Sequence, residues 1–196
     1  MAIPGPPAIK FCSACGAGRI EFRVPEGDNL ARFVCAACGT IHYQNPKIVV
    51  GCLPEYDDQV LLCRRAIEPR HGLWTLPAGF LENGETLMAG AVRETLEEAN
   101  ARVALDALYT MISLPQISQV YVMFRAKLQD QGFGPGPESL DVRLFREDEI
   151  PWEELAFRTI ARTLRNYFLD RKQGSFPTRV SVLERKAPRP DLSGAA

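Results

Sequence analysis

Glu94, Glu97 and Glu98 stand at i, i+3 and i+4, with Arg93 beside them and Gly79 and Glu85 ahead of them in GFLENGETLMAGAVRETLEEANA, Gly79 to Ala101. At 100° per residue the three carboxylates share one side of a helix. Like charges at this spacing repel one another. A hard dication turns that repulsion into coordination, and Mg²⁺ is held by a few carboxylates together with waters and phosphate oxygens. The preceding LPAGFLENGE carries two glycines and a proline, which sets a loop at the helix N-terminus, where backbone groups meet metal and phosphate. The chemistry this implies is divalent-metal-assisted attack on a diphosphate. A solvated, Glu-rich helix face is the plainer alternative, and the loop tips the balance against it. Met88, Ala91, Val92, Thr95, Leu96 and Ala99 form an apolar stripe on the other side, expected to pack on a sheet and leave the carboxylates facing away from it. Glu85, near the helix start, is favoured by the helix dipole and is expected to hold the metal-binding carboxylates in place. Arg93 is expected to orient a glutamate through a bidentate contact.

A second constellation lies near the N-terminus. Cys12 and Cys15 form one CxxC pair and Cys35 and Cys38 another, each followed by glycine, Gly16 and Gly39. Four thiolates at this spacing suit a tetrahedral zinc ion, and the glycines suit the sharp turn of a zinc knuckle. Two disulfides in a secreted protein are the disfavoured reading. The residues between the pairs read as two short strands around Pro25–Asp28, a zinc ribbon whose metal supplies much of its folding energy. Cys52 and Cys63 sit inside the apolar runs IVVGCL and VLLCRR and read as small buried hydrophobes. The two histidines, His42 and His71, lack ligand spacing.

The elements that must position these residues follow from periodicity and punctuation. Residues 1–10 read as a flexible lead, 11–41 as the ribbon and 42–183 as the catalytic body, with His42 to Pro46 a connector. Residues 184–196 read as a disordered tail. KIVVGCL and QVLLCRR read as a strand pair, LWTLPAGF as a short strand entering a loop, and Thr86–Ala99 as the central helix. ARVALDALYTMISL, ISQVYVMFRAKL and LDVRLF read as further strands. QDQGFGPGPES is a loop long enough to suspect a function. Trp152–Asp170 reads as a second amphipathic helix and FPTRVSVL as a last strand. The sum is an α+β, α/β/α body preceded by a ribbon.

Composition narrows the classes. The 196 residues are 46% hydrophobic and 24% charged, with a net charge of −1, so no global field recruits nucleic acid or an anionic membrane. No apolar run approaches the roughly 20 residues of a membrane span, and a cytoplasmic protein is expected. The charges of the ribbon are mixed, without a basic stripe. Its expected role is structural, extending the body or building a homodimer contact.

The Gly79–Ala101 stretch resembles the Nudix box, the signature of the Nudix hydrolases. Gly79, Glu85, Arg93, Glu94, Glu97 and Glu98 match in register. Thr95, Asn100 and Ala101 depart from it, and Asn100 tolerates the left-handed backbone that ends a helix. The resemblance covers about residues 42–170. It implies a Nudix α/β/α sandwich and hydrolysis of a nucleoside diphosphate derivative with Mg²⁺ or Mn²⁺, held by Glu94, Glu97 and Glu98 and the Ala78 carbonyl. Glu85 and Arg93 would support them, and the base would be Glu97 or, from the later loop, Glu138. With the ribbon, the resemblance extends to the ADP-ribose and FAD pyrophosphohydrolase branch. NADH pyrophosphatases and NAD-cap-removing hydrolases are the alternative. They carry a Ser-Gln-Pro-Trp type segment where this chain has SLPQISQVYVMF, Ser113 to Phe124. A nucleotide-sensing, nucleic-acid-binding regulator is the reading from another class, and the intact carboxylate face argues against it. Tyr121, Phe133, Phe80 and Trp74 are the candidates for a stacking wall.

Overall fold

The computed structural model of the protein describes residues 8–184. The expected flexible lead falls largely, and the expected disordered tail almost wholly, outside the described residues. The chain divides after Pro46 into two compact units.

The first unit is a three-stranded antiparallel sheet, β1 (Ile20–Arg23), β2 (Arg32–Cys35) and β3 (Ile41–His42). His42 is therefore no connector residue: it belongs to the ribbon sheet, opposite Phe33. The Pro25–Asp28 turn forms as expected, closed by Asp28 N–H donating to the Pro25 carbonyl at 3.2 Å.

The second unit is built on a mixed sheet. Its strands are β4 (Lys47–Tyr56), β5 (Gln59–Arg65), β6 (Trp74–Thr75), β7 (Ala78–Phe80), β8 (Val103–Leu114), β9 (Gln119–Leu128), β10 (Ser139–Phe145) and β11 (Arg179–Val182). The main path runs β10-β5-β4-β9-β8-β11, with β6 paired to β5 and β7 to β4. β4 lies parallel to β9 and β11 parallel to β8, and the remaining pairs are antiparallel. Strands covered on both faces read as unbroken apolar runs, and β4 and β5 are such runs. Alternate residues of each go to opposite cores. Val50, Cys52, Leu61, Cys63, Val122 and Phe124 pack with Ala91 and Ala99 of helix α1 (Leu87–Ala99). Leu53, Val60, Leu62 and Met123 pack with Ile160, Leu164, Tyr167 and Phe168 of helix α2 (Arg158–Gln173). The body is the expected α/β/α sandwich.

α2 starts at Arg158, six residues later than the periodicity indicates, because Trp152–Glu154 forms a separate 3-10 turn after Pro151. Extended backbone at Leu155 and Phe157 separates that turn from the helix. At its C-terminal end Asp170 is fully buried. It accepts from the Tyr109 hydroxyl at 2.8 Å and pairs with Arg179 through both guanidinium arms, tying α2 to β8 and β11. Among the described residues no helix is long and apolar enough to cross a membrane.

Candidate active site

α1 is cut to length by its ends. The Thr86 side chain accepts from Ala89 N–H at 3.1 Å as the N-cap. Asn100, in the left-handed conformation at φ 48°, is the C-cap. Asn is among the few residues that take up this conformation readily. The Asn100 amide also donates to the carbonyls of Gly134 and Pro135, while Gly134 and Gly136 N–H donate to the Ala99 and Glu98 carbonyls. The Gly/Pro-rich loop 129–138 thus supplies partners for the orphan carbonyls at the helix end. A Cβ at position 136 would stand 1.7 Å from the Glu97 carbonyl oxygen, so only glycine lets the loop come this close.

The helix is rotated relative to the expected stripe. Met88 and Leu96 are 56% and 48% exposed, whereas Glu94 and Glu98 are buried, 9% and 6% exposed, beside Gly90, Ala91, Thr95 and Ala99. On a helical wheel the buried arc is centred roughly 80° from the apolar stripe. Two of the three carboxylates therefore point into the cleft between α1 and β7, and only Glu97 is exposed. Space for them comes from Gly79, where a Cβ would lie 2.4 Å from the Glu94 carboxylate.

Arg93 organises this cleft. Its Nε donates to Glu85 Oε2 (3.1 Å) and its Nη2 to Glu85 Oε1 (2.7 Å) and the Phe80 carbonyl (3.2 Å). Its Nη1 reaches Glu94 (2.8 Å) and Glu97 (2.9 Å). The bidentate contact expected of Arg93 is made to Glu85, and through it Glu85 holds the other two carboxylates. Glu85 also accepts from Glu82 N–H at 2.7 Å. The Arg93 guanidinium, with that N–H, lowers Glu85 to about 2. Among the described residues Glu98 has no arginine in contact, and it accepts instead from Ala78 N–H at 3.0 Å. Burial pushes Glu98 up to about 8, against that backbone bond, and the charges of Glu94 and Glu138 push the same way. Burial likewise raises Glu94, against Arg93, with Glu97 and Glu138 adding repulsion. Two buried carboxylates side by side require a counter-charge, and hard oxygen donors of this kind fit Mg²⁺ or Mn²⁺.

The Glu138 side chain is exposed and its charge is felt at Glu94 and Glu98, while Gly136 is bound to α1 and the Glu138 carbonyl accepts from Ala66 N–H at 2.8 Å. Of the stacking candidates, Trp74 is core, edge-on to Phe145 at 4.9 Å. Tyr121 is buried and Phe133 packs on the α1 core. Phe80 alone is substantially open, 48% exposed, with Lys47 Nζ 5.1 Å from its ring centre. Arg65 was not singled out in the sequence, because an arginine ending a strand carries no motif. Its positive charge acts on both Glu98 and Tyr121.

In the first unit the Sγ atoms of Cys12, Cys15, Cys35 and Cys38 all lie within 4.8 Å of one another. Cys12–Cys38 and Cys15–Cys35 are 3.7 and 3.6 Å apart. A tetrahedron of sulfurs about 2.3 Å from zinc has edges of about 3.8 Å, so the four fit that ion. Gly16 and Gly39 take φ of +74° and +77°, as the two knuckles require. The Thr40 hydroxyl, 3.1 Å from Cys38 Sγ, helps hold that thiol down to about 6. Cys52 and Cys63, in the second unit, are buried, as expected.

Comparison with known proteins agrees with both units. Residues 10–44 match the family model described as Nudix N-terminal, and residues 45–167 match the NUDIX domain. A NUDIX hydrolase from Nitrosomonas europaea has a structure similar to this one, with a TM-score of 0.87 and 57% identity, covering 90% of this chain and all of that one. An ADP-ribose pyrophosphatase from Streptococcus suis shares the fold at a TM-score of 0.56 and 21% identity, over 71% of this chain and all of that one. The NAD-capped RNA hydrolase NudC of Photobacterium profundum is 31% identical over 146 residues, 72% of this chain and 51% of that protein. The NudC of Stutzerimonas stutzeri is 29% identical over 170 residues, 84% of this chain and 58% of that protein. The chain thus spans about half the length of these curated relatives. With the NUDIX domain matched across most of its length and the Nudix N-terminal ribbon ahead of it, the chain belongs to the Nudix family.

Proposed function

We propose that the protein hydrolyses the diphosphate linkage of a nucleoside diphosphate derivative, FAD or ADP-ribose, to AMP and the phosphorylated partner. The observation that carries this is the buried pair Glu94 and Glu98, held beside Gly79 with Glu97 and Arg93 at the rim. In this reading Glu94, Glu97, Glu98 and the Ala78 carbonyl hold Mg²⁺ or Mn²⁺. When bound, the metal neutralises the diphosphate and acidifies a coordinated water. Arg93 and Glu85 keep the carboxylates in place. Glu138 or Glu97 takes the proton from the attacking water. Phe80, with Lys47 beside it, offers a face for a purine or flavin ring and a positive charge next to it. The four ribbon cysteines hold one structural zinc, and the ribbon serves to extend the body or to build a homodimer contact.

A second reading, turnover of NADH or of an NAD-capped RNA end, is favoured by the names of the curated relatives. Against it stands SLPQISQVYVMF, without the tryptophan-bearing segment of that branch. The test is a panel of FAD, ADP-ribose, NADH, CoA, deoxynucleoside triphosphates and NAD-capped RNA, with Mg²⁺ or Mn²⁺, on the wild type and Glu97→Gln. FAD or ADP-ribose is expected to turn over fastest, and Glu97→Gln to lose at least about 100-fold. Preference for NADH or capped RNA moves the assignment to the second reading. No turnover of any diphosphate, or equal turnover by the variant, refutes the hydrolase assignment.

A further inference from the structure

The face of the sheet that carries α1 is only partly covered. A helix is about 10 Å wide and strands stand about 4.8 Å apart, so one helix covers about two of them. α1 lies chiefly on β4 and β7, and β8 and β11, farther along the path, extend beyond it. Arg179 reaches Asp170 of α2, so alternation along β11 sends Val180 and Val182 to the opposite face, that of α1. The register agrees, because Val180 is paired with Met111, which packs on the α1 core. Val180 and Val182 are 74% and 54% exposed. Across the sheet Val180 is in line with Met111 and Val122, and Val182 with Ser113 and Val120; none of these side chains is charged. On a helical wheel Met88, Val92 and Leu96 lie on the flank of α1 away from the three carboxylates. Met88 and Leu96 are exposed, while Val92 packs on the same core as Met111 and Val120. Strand face and helix flank therefore meet in one apolar surface.

Its chemistry and size select the occupant. Residues 185–196, which follow β11, hold one large apolar side chain, Leu192, against four charged ones, too little to fill it. A charged patch facing its own copy sets like charges against each other, whereas an uncharged apolar one is complementary to itself, the condition for a two-fold contact. Val180, Val182, Ile48, Met88 and Leu96 are all exposed. Together they offer roughly 500 Å² per copy, so two copies face to face remove about 1,000 Å² from water, where specific interfaces begin. The edge of β11 is open as well. Leu183 N–H donates to the Ser113 carbonyl at 3.0 Å, so the backbone groups of Val180 and Val182 point the other way, and among the described residues no strand pairs with β11 on that side.

We propose that the face formed by β8, β11 and the Met88–Leu96 flank of α1 is a self-association surface, on which a second copy of this chain docks about a two-fold axis. The partner then rests on the helix whose far side carries the carboxylates. The proposal does not depend on the hydrolase reading; it places the homodimer contact on the body and leaves the ribbon to extend it. Sedimentation of the full chain is expected to show twice the chain mass, with a dissociation constant of about 10 µM or tighter. Val180→Glu and Val182→Glu each set two like charges into the contact, and each should raise that constant at least about 100-fold while the circular dichroism of the fold is unchanged. Met88→Glu, on the helix side of the same surface, should do likewise and decides the matter where the strand variants do not fold. Amide exchange at Val180 and Val182 should slow as wild-type concentration rises. A wild type that stays monomeric at about 100 µM overturns the proposal, and so does a dimer of unchanged affinity in the folded variants. A dimer lost in Cys35→Ser but kept in Val180→Glu returns the contact to the ribbon. A monomer that binds phosphatidylcholine vesicles, and no longer does so as Val180→Glu, gives the face to a lipid surface instead of a second copy.

Discussion

Arg93 does more at the level of single residues than orient one glutamate. Four separate oxygens on Glu85, Glu94 and Glu97 depend on it, along with the Phe80 carbonyl. Its removal leaves a buried glutamate without its cation, and such losses are costly. Arg93→Ala is therefore expected to lose at least about 100-fold in kcat and to weaken Mn²⁺ binding measured by calorimetry or paramagnetic relaxation. Arg93→Lys cannot serve Glu85 bidentately while reaching the other two, so it should recover little of the loss. Glu98 is a contrasting case. It faces inward and, among the described residues, is neutralised by no contacting arginine, so Glu98→Gln removes a charge that only a cation would need. The variant should fold with a melting temperature equal to or above wild type in the absence of metal, and should lose the stabilisation that added Mg²⁺ or Mn²⁺ gives the wild type. A melting temperature below wild type in chelator would show that Glu98 serves the fold rather than a metal.

Among the elements, the loop 129–138 and helix α1 behave as one piece. The loop looks free in sequence because glycine and proline dominate it, but its N–H groups and carbonyls are spent on the end of α1. Gly136→Ala forces a Cβ into the Glu97 carbonyl, and should cost about 2–4 kcal/mol in denaturant unfolding. Its activity should fall further than its stability, because the shift displaces Glu138. Asn100→Gly keeps the left-handed cap but loses the amide bonds to Gly134 and Pro135, and should cost less than Asn100→Ala, which also strains the backbone.

The other helix is tied down by charge. Arg179 and the Tyr109 hydroxyl hold the buried Asp170 carboxyl below its ordinary value. A depressed acid contributes stability that is fully present above its unfolded pKa, about 3.9, and is lost as pH falls through its lower folded value. The melting temperature should therefore lose this contribution only below about pH 4, and Asp170→Asn should flatten that limb. At neutral pH the substitution should cost about 2–4 kcal/mol by leaving Arg179 and Tyr109 mispaired.

The whole chain comprises two compact units that stand on different physics. The second has two apolar cores on the two faces of one sheet. The first buries Val34, Cys12 and Cys35 while leaving Phe11, Phe22, Leu30 and Tyr43 exposed, too small a core to fold without a tie. Zinc analysis should give about one ion per chain. Cys35→Ser or a strong chelator should remove it and abolish the ordered signals of residues 12–42 in amide exchange. Ordered ribbon signals in the metal-free protein would show that the cysteines are not the tie.

Much of this was legible in the residues alone. Both cysteine pairs, the strand pair around Asp57–Asp58, the central helix with its Thr86 and Asn100 boundaries, and the α/β/α layering follow from spacing, periodicity and turn chemistry, which are local. The face of α1 was not. A helical wheel ranks positions by hydrophobicity, and by that rule Met88 and Leu96 belong inside and Glu94 and Glu98 outside. The fold inverts this because a side chain's surroundings are set by what faces it. Gly79 leaves the space that the Glu94 carboxylate fills, Ala78 N–H donates to Glu98, and Arg93 sits at the rim. The same holds for Arg65, Glu138 and Asp170, whose partners lie on other strands and loops. By itself the sequence determined which residues are available for metal chemistry and where the chain turns. Only the tertiary structure decided which of them are buried together, because burial, pairing and the cost of an unpartnered charge are properties of a packed environment that no single segment contains.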